Sequence, residues 1–488
     1  MPGQNFSSRR SPGRRRSGGS ERGPSRPSAP VKSDLELALD AAADAAAAAP
    51  DTSSTFASLG LPQKLVTVLE RRGMRAPFAI QTRAIPDALA GRDVLGRGQT
   101  GSGKTLAFGL PLLSRLAGGV RRAGRPRGLV LVPTRELAQQ VHDALAPLAQ
   151  PLDVKLSAVY GGASMGRQID QLRRAVDIVV ATPGRLQDLI EQGECSLADV
   201  EIAVLDEADH MADLGFLPVV TALLAQTRSD GQRLLFSATL DRGVDKLVRQ
   251  FLPDPAVHAV AGDTSHIEAM DHRVFAVARD SQVDIAAEIA ARPGRTLFFV
   301  RTKHGADRLA LQLRRTGVEA GAIHGNLTQS ARQRALDAFS RGQVRVLVAT
   351  DVAARGIHVD DVDLVVHYDP PADHKDYLHR SGRTARAGAS GTVLSLVLSE
   401  QVGEHQRMRE RASVEANAVT VTPGHPSVRE IAESGDVIVV QPAAHVIAPS
   451  TPRRSGGNRP FRSAGSSPGR PARSAGAPPR RTPDRRSA

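Results

Sequence analysis

The chain has 488 residues, 41% hydrophobic and 24% charged, with a formal charge of +13; of its 64 basic residues only seven are Lys. The lone Cys195 excludes an internal disulfide framework, and no apolar run reaches the ~18 residues of a membrane span. The first twenty residues lack the apolar core of a secretory signal, so a reduced, cytoplasmic compartment is expected.

In chain order, residues 1–33 carry eight basic groups against Glu21, a net +7. Residues 451–488 carry ten Arg against Asp484, a net +9, which leaves 34–450 at −3. Both ends are Arg/Ser/Gly/Pro mixtures with too few apolar residues to offset ordering entropy, and are expected to be disordered. Basic tails of this kind suit a polyanionic partner through phosphate neutralisation. Residues 34–50, acidic and Ala-rich, read as a marginal helix or a linker.

From about 55 to 258, helical patterns alternate with short apolar runs: GLVLVP (128–133), DIVVATP (177–183), IAVLDEAD (202–209) and RLLFSAT (233–239). Near-continuous apolarity over so few residues fits strands covered by helices on both faces. A second block repeats the alternation: RTLFFVRT (295–302), VRVLVATD (344–351), DLVVHYDPP (363–371) and GTVLSLVLS (391–399). The unusual residues of both blocks stand just after these runs, where open parallel sheets gather their ligands.

The strongest local pattern is GQTGSGKT, covering Gly98, Gln99, Thr100, Gly101, Ser102, Gly103, Lys104 and Thr105. Its glycines let backbone N–H groups curl round phosphate oxygens. Lys104 would reach the β/γ-phosphates and the Thr105 hydroxyl would ligate Mg²⁺, ahead of an amphipathic helix that adds its dipole. DEAD, Asp206 to Asp209, ends the run IAVL. Asp206 is placed for a second Mg²⁺ contact, partly through water, and Glu207 for a general base acting on water. The histidines show no metal-ligand spacing with Cys or Glu.

These motifs and their order resemble the DEAD-box family of ATP-dependent RNA helicases, of bacterial type with basic tails. GMRAPFAIQ (73–81) resembles the adenine-reading Q motif, with Gln81 as reader and Phe56, seventeen residues before Gly73, as its isolated aromatic. PTRELA (133–138), the pair Gly161–Gly162 and TPGR (182–185) resemble first-domain RNA contacts, which implies roles for Pro133, Thr134, Arg135, Gly162, Thr182, Gly184 and Arg185. SAT resembles the element coupling hydrolysis to domain closure, which implies that Asp209, Ser237, Ala238, Thr239 and His379 act between domains. LFFVRT, HGNLTQSARQR (324–334), ATDVAARGI (349–357) and HRSGRTARAG (379–388) complete the order. They imply RNA contacts at Arg301 and Thr350, an ATP contact at Gly356, and arginine fingers at Arg383 and Arg386. Few aromatics stand near the RNA elements, so backbone holding rather than base stacking is expected.

The resemblance implies an α/β fold of two tandem RecA-like parallel-sheet domains with disordered N- and C-terminal tails. The expected division is a disordered N-terminal segment over 1–54, a first domain over 55–258, a linker over 259–270, a second domain over 271–400, an unassigned extension over 401–447 and a tail over 448–488. ATP and Mg²⁺ are the implied cofactors and single-stranded or short duplex RNA, read without sequence preference, the partner. An ATP-gated RNA clamp that remodels or anneals, and a DNA translocase, stay open as alternatives. Two departures stand out. Ala385 replaces the glycine of GRTGR, a strain if the site needs φ > 0. His358 replaces the Asp that contacts the ribose.

Overall fold

The computed structural model describes residues 33–48, 53–98, 101–240, 242–260, 270–354, 362–385 and 391–435. The fully buried run Ile178–Ala181 typifies its strands: every side chain is covered, because helices lie on both faces. Seven strands form the first sheet: β1 (Val94–Arg97), β2 (Gly128–Leu131), β3 (Leu156–Val159), β4 (Ile178–Ala181), β5 (Ile202–Asp206), β6 (Gln232–Ser237) and β7 (Ala256–Ala259). Their spatial order is β3-β4-β2-β5-β6-β1-β7, all parallel. Two apolar layers fill its faces, one around Leu110, Val141 and Val204, the other around Leu129, Leu186 and Leu235.

The second sheet holds β8 (Met270–Val277), β9 (Arg295–Phe299), β10 (Ala320–Ile323), β11 (Val346–Ala349), β12 (Val362–His367), β13 (Gly391–Leu398) and β14 (Ala418–Thr420). Its order, β10-β11-β9-β12-β13-β8-β14, is also all parallel. The two orders superpose position for position, with β8 standing where β1 stands. All eight apolar runs read from the sequence are strands, and the two tandem parallel sheets agree with the expected fold.

Two boundaries differ from expectation. The Ala-rich stretch is a packed helix, Asp34–Ala48, within what was expected to be a disordered segment. A capping box starts it: Ser33 N–H donates to Glu36 Oε2 at 3.0 Å and Glu36 N–H to Ser33 Oγ at 3.2 Å. Leu39 and Ala43, one turn apart on one face, are buried against the first domain, and Asp40 pairs with Arg97 at 2.7 Å. The extension after 400 is likewise no appendage. The helix Val402–Arg411 leads to β14 on the edge of β8, and Val428 and Ile431 of the helix Pro426–Ala432 join the second core. Ala259 and Met270, the ends of the expected linker, lie in β7 and β8. Both basic tails lie outside the described residues.

The helix His374–Ser381 sits on a buried cluster of rings. Tyr377, fully buried, meets His367 edge-on at 4.9 Å and accepts or donates at His272 Nδ1 over 2.8 Å. Arg409 Nε donates to His405 Nδ1 at 3.3 Å, and the His405 ring lies 6.2 Å from that of Tyr377. Burial, helped by Arg409, pushes His405 down to about 4; burial, with Arg380 adding, holds His367 well below the usual histidine range. This cluster fixes the helix that carries His379, and the turn after it that carries Arg383, toward the first domain.

Candidate nucleotide and RNA site

β1 ends at Arg97 and the helix Lys104–Leu116 begins seven residues later, so the glycine-rich loop turns at the carboxyl edge of the first sheet. Gly103, at φ +90°, caps that helix in the left-handed region; a Cβ there would stand 2.4 Å from Gln81 Nε2. Lys104 is buried and its ammonium donates back to the Gly98 carbonyl across the loop. Gln99 and Thr100 lie outside the described residues, as do Gly356, His358 and Arg386.

Gln81 is only 1% exposed. Its Oε1 accepts the Phe78 N–H at 2.9 Å and its Nε2 donates to the Gly103 carbonyl at 3.0 Å, tying its own loop to the phosphate loop. Phe56, 3% exposed, belongs to the first core because an apolar ring among leucines gains more by burial than at the surface. The aromatic exposed beside the phosphate loop is Phe78, at 54%, whose ring edge lies 2.6 Å from a Cβ on Gly103.

The acidic tetrad follows β5. Glu207 takes φ +54° to turn the chain from strand into the helix Ala208–Asp213. Burial pushes Asp206 up to about 7, with Glu207 and Asp209 adding to the rise and Lys104 opposing it. Such a crowded carboxylate calls for a cation. No cluster of three or more His, Cys, Asp or Glu able to hold a metal exists among the described residues. Asp206 and Thr105 therefore fit Mg²⁺ only if phosphate oxygens complete its shell. Burial works to raise Glu207, but the hydrogen bond from His210 and the charges of Arg383 and Lys104 outweigh it and hold the carboxyl below its usual range. His210 Nδ1 lies 3.2 Å from Glu207 Oε2.

Asp209 is tied to the SAT segment. Thr239 donates to Asp209 Oδ2 through its N–H at 2.9 Å and its hydroxyl at 3.0 Å, and Asp209 N–H donates to Ser237 Oγ at 3.1 Å. Ala238 then lines one cavity with Lys104, Glu207 and His210 on one side and His379 and Arg383 on the other. The evenly spaced arginines part company here. Arg380 is fixed inside the second domain, bidentate to Asp351 at 2.6 and 2.9 Å and stacked over Phe299. Arg383, beyond the helix, reaches the cavity. Ala385 takes φ +54°, the left-handed conformation in which its methyl is strained.

The expected RNA residues gather where strands end. Thr134 caps the helix Arg135–Ala149, its Oγ1 accepting Leu137 N–H at 3.2 Å, with Pro133 buried before it. Arg135 lies along Gly161 and Gly162; a Cβ on Gly162 would meet its Nη1 at 2.3 Å. Thr182 caps the helix Pro183–Glu191, Gly184 is exposed, and Arg185 Nη1 donates to the Ala163 carbonyl at 3.4 Å. These groups share the ends of β2, β3 and β4. In the second sheet Arg301 is exposed after β9, its N–H donating to Asp369 Oδ2 at 2.7 Å, and Thr350 follows β11, buried.

The sequence reading missed one contact between the two halves. Glu136, buried, faces Arg332 Nε at 2.9 Å and accepts Gln329 Nε2 at 3.0 Å. The Arg332 Nε is not in line for a hydrogen bond, so that contact is an ion pair. Both partners sit inside motifs already singled out, yet almost 200 residues separate them, and no local pattern announces the pairing.

Residues 78–247 match the family model for the DEAD/DEAH box helicase, and residues 281–388 that for the helicase conserved C-terminal domain. DEAD-box ATP-dependent RNA helicase 5 of Oryza sativa subsp. japonica is 40% identical over 365 residues, 72% of this chain and 70% of its own. The chloroplastic DEAD-box ATP-dependent RNA helicase 3A of Zea mays is 40% identical over 403 residues, 80% of this chain. The chain spans about half (52%) of that maize relative. Among solved structures, S. cerevisiae Dbp5 bound to RNA and ADP BeF3 is 28% identical with a TM-score of 0.69, covering 78% of this chain and 99% of that one.

Proposed function

The chain belongs to the DEAD/DEAH box helicases, and from that premise we propose that it is an ATP-dependent RNA helicase that couples ATP hydrolysis to closure of its two halves on RNA. Lys104 and Glu207 share a cavity with His379 and Arg383, and this convergence supports the reading most. ATP lies along the phosphate loop, with Lys104 turning from Gly98 to the β/γ-phosphates. Asp206 and Thr105 would hold Mg²⁺ against the phosphates, and the ion would supply charge neutralisation there. Glu207 takes the proton from the attacking water, and Arg383, with Arg386 three residues on, neutralises charge growing on the γ-phosphate. Arginine fingers of this kind are worth about 10³–10⁵ in rate.

RNA runs over the strand ends of both sheets, held through its backbone by Thr134, Arg135, Gly162, Thr182, Gly184, Arg185, Arg301 and Thr350. Its grip closes the halves, and Thr239 and Ser237 pass hydrolysis from Asp209 to that closure. Arg135 packed on the Gly161–Gly162 pair supports a shared track. The first and second domains span about 33–260 and 270–435, and the −3 body with one buried thiol suits the cytoplasm. No helix among the described residues is long and apolar enough to cross a membrane.

ATP turnover measured with RNA against DNA, and release of a labelled strand from a short RNA duplex, test this together. Stimulation by RNA with strand release is expected. Stimulation without release indicates the clamp, and stimulation by DNA the translocase. Lys104→Ala weakens nucleotide binding, whereas Glu207→Gln keeps ATP and RNA bound and loses turnover; near-normal phosphate release from Glu207→Gln refutes the base.

A further inference from the structure

His210 stands one helical turn beyond Glu207, so the two side chains share a face of the turn that leaves β5. The imidazole is 4% exposed and cannot swing away. Its Nδ1 lies 3.2 Å from Glu207 Oε2. A carboxylate only accepts, so Nδ1 carries the hydrogen. The other ring nitrogen, Nε2, is buried without a hydrogen-bond partner among the described residues. The ring is thus held in place by its bond to Glu207 and by packing alone. Nε2 of His367 and His405 in the second domain is buried in the same way, so what sets His210 apart is its bond to the Glu207 carboxylate. Lys104, Asp209, His379 and Arg383 line the same cavity, so His210 faces reacting groups and not bulk solvent.

We propose that His210 is a positioning residue for the Glu207 base: its Nδ1–H fixes Oε2 and turns Oε1 toward the attacking water. The inference rests on the reading of Glu207 as base. Glu207 is reached through a left-handed backbone turn with few rotamers to spare, and a carboxylate free to rotate among Lys104 and Arg383 would pair with either cation instead of the water. Misplacing a catalytic group by about 1 Å costs on the order of a hundredfold.

The test uses the full chain, saturating RNA and an ATP titration. His210→Asn places an amide N–H where Nδ1 stood; His210→Gln carries its amide to the Nε2 position; His210→Leu has neither. The expected result is a ten- to hundredfold fall in kcat for His210→Leu and His210→Gln with KM for ATP within about twofold, and recovery to within about threefold of the natural chain in His210→Asn. A natural kcat in His210→Leu, or an equal loss in His210→Asn and His210→Gln, overturns the proposal. Should His210→Leu not fold, the Asn–Gln comparison decides. An inactive natural chain sinks the helicase reading itself, whereas an active one with a flat His210 series sinks only this inference.

Discussion

Replacing Arg332 by Met removes a buried cation from between the two halves and leaves Glu136 with Gln329 alone. Were the halves rigid, stranding a buried carboxylate would cost about 3–5 kcal/mol. They need not stay together, because opening lets water reach Glu136. The measurable loss is then the net worth of the contact, about 1.5–3 kcal/mol, the low end of the coupling between close charge pairs at an interface. At 1.4 kcal/mol per decade that weakens closure roughly 10- to 150-fold. Dyes placed on the two domains report closure by energy transfer as ATP and RNA are titrated. Arg332→Met should raise the RNA concentration for half-maximal closure and ATPase by that factor, with ATP affinity in the absence of RNA unchanged. Adding Glu136→Gln to Arg332→Met should restore part of the loss, since no bare charge remains. Unchanged closure, or losses that simply add in the double variant, would refute the ion pair as a latch.

Gly391→Ala puts a methyl 2.6 Å from the Ala385 backbone nitrogen and should cost about 1–3 kcal/mol in urea melts, with a drop in turnover because the Arg383 loop shifts. Acid should weaken the second domain: the unfolded chain takes up a proton near pH 6.5 that His405 refuses until about 4, so stability is whole above 6.5 and falls toward 4. The loss between pH 7.5 and 5 is about 2 kcal/mol from His405, and His405→Asn should flatten that slope in thermal melts. Deleting 1–32 and 451–488, charged +7 and +9, should flatten the salt dependence of RNA affinity, nominally about −0.7 per neutralised phosphate, and leave saturated turnover alone.

What was legible in the sequence followed from length and continuity. Strands such as RLLFS, apolar throughout and bounded by polar residues, announced themselves. VLGR, AVHA and AGAI did not: four residues broken by glycine, arginine or histidine carry no period, and only their neighbours make them strands. β8 hid for another reason, since in MDHRVFAV the polar Asp271, His272 and Arg273 follow Met270, and the partners of the last two, Tyr377 and Glu430, lie more than 100 residues on. The nucleotide loop and the tetrad were readable because their chemistry is contiguous in the chain. His210 was equally contiguous and was passed over, its Glu-x-x-His spacing hidden inside a better-known motif. The strain at Ala385 was foreseen from a single missing glycine. Arg380 and Arg383 could not be told apart by spacing, since only the end of their helix separates the structural from the reaching arginine.

β14 settles where the chain can be cut. Without residues 418–420, β8 would become the rim of its sheet, with a row of backbone donors and acceptors open to any passing strand. Val428 and Ile431 would leave with it and uncover part of the second core. A second half ended at 400, where motif order stops, would therefore be prone to pair with its own copies, while one carried to 435 would close on itself. The same holds at the other end: the first half keeps Leu39 and the Asp40–Arg97 pair only if it begins by 33. Dissection of the two halves succeeds or fails on segments that carry none of the motifs by which this chain is recognised.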